Sequence, residues 1–223
     1  MSPAPQLRSG LKEPVTVPIN SYFSTFYSMP IFVKAHPMTY QELISSWPTF
    51  SQRIQAFTQE LGLDSLKLEC DHSALRVNSA EAADELRHEF AKVGNIISDN
   101  MINGRPILII ELNTPLIMGD SAIECVELPY PSDKVYPVEG WEHIELVLDC
   151  GAKDCDTLSQ ALLAHAPQLA AVLSGETEIK VKMSSPKGDK ERLANPTIAF
   201  KRDGICVKVH SQGIKAVIAS EAE

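Results

Sequence analysis

Two short segments of this chain, 71 residues apart, place an acid directly before a histidine at the head of an apolar, alternating run: Asp71-His72-Ser73-Ala74-Leu75 and Glu142-His143-Ile144-Glu145-Leu146. Five residues match by chance often enough, so the force of the comparison lies in what surrounds them. Each segment opens a half with the same order of elements. In the first half, residues 66–77 read as a strand and residues 79–93 as an amphipathic helix. Ser79 is its cap, and Ala83, Leu86 and Phe90 make one stripe. Three strands follow, beginning at 96 and covering 107–112 and 122–128. Asn103-Gly104 supplies a hairpin turn between the first two, and Pro115 and Gly119 mark a further connection. In the second half, residues 141–148 read as a strand and 154–173 as a helix that Pro167 must interrupt. Strands at 178–183, 197–200 and 205–210 follow, the last two joined by Asp203-Gly204. Strand, helix and three strands, twice over, predict an α+β fold.

A helix precedes the first half. Thr39 and Glu42 stand at capping-box spacing, Leu43, Trp47, Phe50, Ile54 and Phe57 recur with helical period, and Gly62 is a plausible stop. Pro48 either ends a first turn or opens a second helix. Residues 1–37 differ in kind, with six prolines and an aromatic cluster of Tyr22, Phe23, Phe26 and Tyr27. Either translation starts at Met38, or this segment is an arm that packs its aromatic rings on the body or on a partner. The expected organisation is an extension (1–37), a helical element (38–65) and two modules (66–131 and 132–223), the modules forming one compact domain.

Composition removes several function classes. The formal charge of −9 disfavours non-specific attraction to nucleic acid or anionic lipid. The five cysteines are odd in number and contain no Cys-x-x-Cys pair, which fits neither a disulfide scaffold nor a zinc knuckle. Free thiols suit a reducing compartment, and neither a secretory signal nor an apolar run long enough to span a bilayer is visible, so the cytoplasm is the expected location.

Strand alternation then picks out a candidate site, because side chains two apart share a face. His72, Ala74 and Arg76 share one face of the first strand and Ser73, Leu75 and Val77 the other. His143, Glu145 and Val147 oppose a fully apolar set of Ile144, Leu146 and Leu148. A core face built of His and Arg is improbable, so the polar set is expected to line a cavity or face solvent. Glu127 lies near the end of the first half and His210 closes the second. Two histidines and a carboxylate suit a divalent metal such as Zn, Fe, Mn or Ni, and His210 would add a third imidazole. Arg76 and Arg105 are candidates to hold a substrate carboxylate. The run 184–195 is either a lid presenting Lys187 or Arg192 to an anion or an ordinary solvated loop. A histidine on a strand is more often structural than a ligand, and no His-x-His, His-Glu-x-x-His or EF-hand spacing strengthens the set.

Several longer blocks resemble a known family: DHSALRV (71–77), SDNMINGRPI (98–107), VELPYPSDKVYPVEGWEHIELVL (126–148), KMSSPKGDKERLANPT (182–197) and VKVHS (207–211). They are similar to the bacterial YecM family, which is linked to metal binding and grouped with the vicinal-oxygen-chelate (glyoxalase, bleomycin-resistance and extradiol-dioxygenase-like) superfamily. The resemblance runs from about Met38 to the C-terminus. It implies paired βαβββ modules forming a curved mixed sheet around a cavity, with metal ligands on the first and fourth strands of each module. Carried over, those ligands are His72, Glu127 and His143. In the fourth place, where glyoxalase-like members usually offer a glutamate, this chain has Lys208, with His210 two residues on. Protonated lysine does not ligate a metal.

The resulting expectation is one divalent ion held by His72, Glu127, His143 and His210. Glu145 would move a proton, and Arg76, Arg105, Lys187 and Arg192 would meet a small anionic oxygenated molecule. An isomerase, a lyase and a dioxygenase all fit this description; a non-catalytic metal or metabolite binder is the alternative. Partners are expected to be small molecules, with no nucleic acid and no membrane, in a monomer or homodimer.

Overall fold

The computed structural model describes residues 38–185 and 193–220. Both readings of residues 1–37 fall outside that range, as do Lys187 and Arg192. Helix α1 (Tyr40–Leu61) begins at the expected capping box: the Thr39 hydroxyl accepts from the Glu42 N–H and the Glu42 carboxylate accepts from the Thr39 N–H. It ends at Gly62, whose φ of 70° is the left-handed conformation a helix stop requires. The helix runs unbroken through Pro48, contrary to the break or restart expected there, because its apolar stripe is buried on both sides of the proline. Thr39→Ala is expected to lower stability by about 1 kcal/mol, read as a shift in the denaturant midpoint without a change in slope.

The modules follow. The first contains β1 (Glu69–Arg76), α2 (Ala80–Phe90), β2 (Gly94–Ile102), β3 (Arg105–Met118) and β4 (Ser121–Pro129). The second contains β5 (Gly140–Val147), α3 (Cys155–His165), a short α4 (Ala170–Leu173), β6 (Lys180–Ser184), β7 (Thr197–Arg202) and β8 (Ile205–His210), after which α5 (Ile214–Ser220) closes the described chain. Pro167 divides the second module's helix as expected, opening a 3₁₀ turn at Pro167–Leu169. Asn103-Gly104 and Asp203-Gly204 both have positive φ at the two central positions, the mirror-image turn that matches strand twist. Strand β3 is longer than the sequence suggests. It continues through Pro115 because the ladder to β4 is already irregular between Glu111 and Leu116, where a missing N–H costs no paired bond.

The eight strands of the described residues form one mixed sheet in the order β2-β3-β4-β1-β5-β8-β7-β6. Within each module the first and fourth strands are parallel neighbours, β1 with β4 and β5 with β8. The modules meet along the antiparallel β1–β5 pair. This is the paired βαβββ architecture of vicinal-oxygen-chelate type. One face of the sheet is apolar: Leu75, Ile110, Val126, Ile144, Val207 and Phe200 are buried with residues of α1, α2 and α3 in a single core. The opposite face carries His72, His143, Glu145 and His210, so the alternation in the sequence reports the two faces correctly.

The β1–β5 ladder carries two bulges, one per strand. His72 lies opposite Glu145 but Cys70 opposite Leu146, which leaves Asp71 as an extra residue; Ala74 lies opposite His143 but Leu75 opposite Trp141, which leaves Glu142 as another. A bulge breaks strict alternation and lets two successive side chains approach one side of the strand. The two extra residues are the acids that precede the two histidines.

Candidate metal centre

The two parallel pairs set the site. Across β1–β4, His72 stands opposite Cys125 and Ala74 opposite Glu127; across β5–β8, His143 stands opposite Cys206 and Glu145 opposite Lys208. Cys206 thus repeats Cys125, and Lys208 takes the place in the second module that Glu127 holds in the first. His72, Glu127, His143 and Glu145 each offer one ligand atom, all within 4.8 Å of one another. The imidazole Nε2 of His143 is 3.2 Å from Glu145 Oε1, and that of His72 is 3.6 Å from Glu145 Oε1 and 3.8 Å from Glu127 Oε2. His72 and His143 are almost wholly buried, and Glu127 keeps 16 % of its side chain exposed.

The bulge acids aim the rings. Nδ1 of His72 is 2.8 Å from Asp71 Oδ1, and Nδ1 of His143 is bonded to Glu142. A carboxylate at Nδ1 fixes the proton on that nitrogen and turns Nε2 toward the other donors. Asp71 is itself anchored, accepting from the Ile214 N–H at 2.6 Å. The sequence marks both acids as part of the repeat, but only the bulges show that they reach their neighbours' rings.

His210, expected as a ligand, stands beside the four donors and not among them. Its Nδ1 is 3.1 Å from the Asn195 amide nitrogen and 3.3 Å from Glu145 Oε2, and its Nε2 is 3.3 Å from Asp71 Oδ2. It closes β8 one residue pair beyond Lys208, so its ring reaches the acids that surround the donors. Lys208 stands against the donors instead, with Nζ 2.6 Å from Glu145 Oε1. Glu145, expected to move a proton, is therefore surrounded by Lys208 and three histidines, His143 at 3.2 Å, His210 at 3.3 Å and His72 at 3.6 Å. Arg105 is not brought to the group; its guanidinium donates to the Tyr130 carbonyl at 2.9 Å. Arg76 lies at the end of β1, 3.2 Å from Glu142 Oε1.

The charges settle one another. Burial raises the Glu145 carboxyl, but Lys208 and His72 more than reverse this and hold it well below the usual carboxylate range. Burial lowers Lys208, yet Glu145 and Glu127 keep its ammonium firmer than an ordinary lysine. Burial likewise opposes ionisation of Asp71 and Glu142, and the adjoining imidazoles pull both below their ordinary values. His72 is pushed down by burial and lifted well above its usual value by Asp71 and Glu145.

The residues fit a divalent ion. Nε2 of His72 is buried and, among the described residues, has no hydrogen-bond partner, although the acids around it are close. Two imidazole nitrogens and two carboxylates, with further carboxylates orienting the rings, are a borderline-to-hard donor set of the kind that takes Zn, Fe, Mn or Ni.

Comparison with known proteins agrees with the fold. Protein YecM of Escherichia coli (strain K12) is 40% identical over 181 residues, covering 81% of this chain and 93% of its own length. An uncharacterized protein of Haemophilus influenzae is 37% identical over 171 residues, covering 74% of this chain and 86% of its own. A solved structure described as Structural Genomics, Protein EC4020, superposes with a TM-score of 0.67 at 36% identity, covering 81% of this chain and 92% of that one. The family described as YecM protein matches residues 39–221. This chain belongs to the YecM family.

Proposed function

We propose that this protein binds one divalent metal ion through His72, Glu127 and His143, with Glu145 as the fourth donor, and that the ion receives a small anionic, oxygenated molecule. The convergence of imidazoles from both modules on two carboxylates within 4.8 Å carries this reading. Asp71 and Glu142 would hold the rings in the ligating tautomer. Lys208 would balance the second carboxylate and, with an ammonium beside the donors, offer a counter-charge to an anionic ligand. A bound divalent ion would supply a Lewis acid able to polarise a carbonyl or enediolate oxygen. Isomerase, lyase and dioxygenase chemistry all draw on such a centre. Both modules contribute from one chain, so a monomer suffices.

A non-catalytic binder is the second reading, and one observation favours it. The carboxylate best placed to act as a base, Glu145, already bonds Lys208 at 2.6 Å and lies 3.2 Å from His143 Nε2. A carboxylate stabilised in this way is a weak base, whereas proton abstraction calls for one poised near neutrality. Turnover of isomerase and oxygenase substrates by the metal-loaded protein would decide against this reading.

The test of the shared claim is metal analysis of protein purified without chelators. About one equivalent of metal per chain is expected. Protein that is metal-free and ignores added Zn, Fe, Mn and Ni would overturn both readings. The affinity has a definite pH dependence. With no ion present the acids hold a proton on His72, and a metal must displace it. Affinity should therefore rise with pH until His72 loses that proton unaided, and calorimetry in buffers of different ionisation enthalpy should detect about one proton released per ion.

A further inference from the structure

At the end of the sheet where β1 finishes and the β7–β8 hairpin turns lies a cavity of about 830 Å³, within the range of small-molecule sites. None of the four metal donors lines it. Among the described residues its wall holds more cations than carboxylates, although the chain as a whole carries −9. Two of the wall's arginines are already engaged: Arg202 pairs with Glu60, and Arg53 donates at 2.5 Å to the carbonyl of Asp203, itself part of the wall. Arg76, Lys180 and Lys201 are left facing the space.

Arg76 is the unusual one. Its side chain is 12 % exposed, its Cζ lies 4.8 Å from the centre of the Tyr136 ring, and its Nη2 is 3.2 Å from Glu142 Oε1. Its Nε is buried and has no hydrogen-bond partner among the described residues. A buried guanidinium N–H left over is costly, and a turn of the side chain toward a ligand oxygen would satisfy it. Lys201 approaches the same Glu142 oxygen at 3.7 Å and keeps 41 % of its side chain exposed, while Lys180 makes no ion pair among the described residues. The rest of the wall includes Trp141 and the exposed Val138, which offer apolar surface to a ligand body.

We propose that this cavity is a second ligand site, for a small organic anion whose carboxylate or phosphate head sits between Arg76 and Lys201 and whose apolar body lies against Trp141 and Val138. Glu142 joins this site to the metal donors, since one oxygen holds His143 Nδ1 and the other faces Arg76 and Lys201. An anion in the cavity takes up part of the positive charge that now faces Glu142. More of the carboxylate's charge then acts on His143, so anion and metal strengthen each other's binding by the same factor. This coupling rests on the metal reading; the cavity site does not.

The test is calorimetric titration of the full chain with benzoate, phenyl phosphate, inorganic phosphate and the neutral analogue benzamide. One of the two aromatic anions should bind at a single site, the tighter one identifying the head group. Benzamide and inorganic phosphate should be weaker by about tenfold or more. Lys201→Met, at a half-exposed position, and Arg76→Met should each weaken binding by about tenfold, and chelator-treated, metal-free protein should still bind the anion at one site. Failure of both aromatic anions to saturate at millimolar concentration would overturn the site. So would binding indifferent to both Met variants, or binding seen only with metal present, which would put the anion on the metal. Inorganic phosphate as tight as phenyl phosphate would overturn the apolar half. Equal anion affinity with and without bound Zn would overturn the coupling.

Discussion

Replacing His72 or His143 by alanine should lower divalent-metal affinity by about a hundredfold or more while the protein stays folded. Loss of an orienting partner alone costs about 10- to 100-fold, and loss of the ligating nitrogen costs at least as much. The fold should survive because neither bulge acid is stranded. Without His72, Asp71 still accepts from the Ile214 N–H at 2.6 Å and lies 3.3 Å from His210. Without His143, Glu142 still faces Arg76 at 3.2 Å and Lys201 at 3.7 Å. Equilibrium dialysis against Zn, paired with circular dichroism, reads both halves of the prediction. Full-strength metal binding by folded His143→Ala would defeat the centre as described. Asp71→Asn and Glu142→Gln should keep the ligands and lose about 10- to 100-fold.

The second large effect falls on stability. Lys208→Met removes the cation 2.6 Å from Glu145 and leaves that carboxylate among buried histidines with less to offset it. Breaking a buried pair from one side costs about 3–5 kcal/mol, and the lower end applies here because 21 % of the Lys208 side chain remains exposed. Metal should restore part of this loss, since a divalent ion beside Glu145 replaces the missing charge and stabilises in proportion to its occupancy. The expected result is a thermal midpoint depressed in chelator and largely recovered in Zn. If the midpoint stayed low with the ion bound, Glu145 would not be facing it.

The parts of this molecule that were legible in the sequence are those governed by period. Alternation in DHSALRV and WEHIELVL separates the polar face from Leu75, Ile144 and Leu146, because a strand's two sides differ in burial and burial selects composition. Thr39, Ser79, Gly62 and the two Gly-containing hairpins announce ends and turns through local backbone chemistry. What escaped depends on pairing between distant strands. The bulges at Asp71 and Glu142 exist only in the register of β1 against β5, so the acids read as part of a repeat and not as holders of the rings. Lys208 is recognisable in place of a glutamate, but its bond to Glu145 needs β5 beside β8. His210 shares the polar face with Lys208 and reads as a ligand, yet its position past the centre and its contact with Asn195 follow from where β7 and β8 end. Pro115 reads as a break because its tolerance inside β3 comes from the partner strand's irregularity.

The two modules repeat each other closely around the histidines and then part company. Where the first has Ala74 and Glu127, the second has Glu145 and Lys208. Two identical copies of either module, related by a two-fold axis, would have to present the same pair twice. Joining the halves in one polypeptide lifts that restriction, and the centre becomes lopsided: bare and acidic on one flank, zwitterionic on the other. A molecule entering it would meet different surroundings at its two ends, which is the physical condition for binding an asymmetric compound in one orientation.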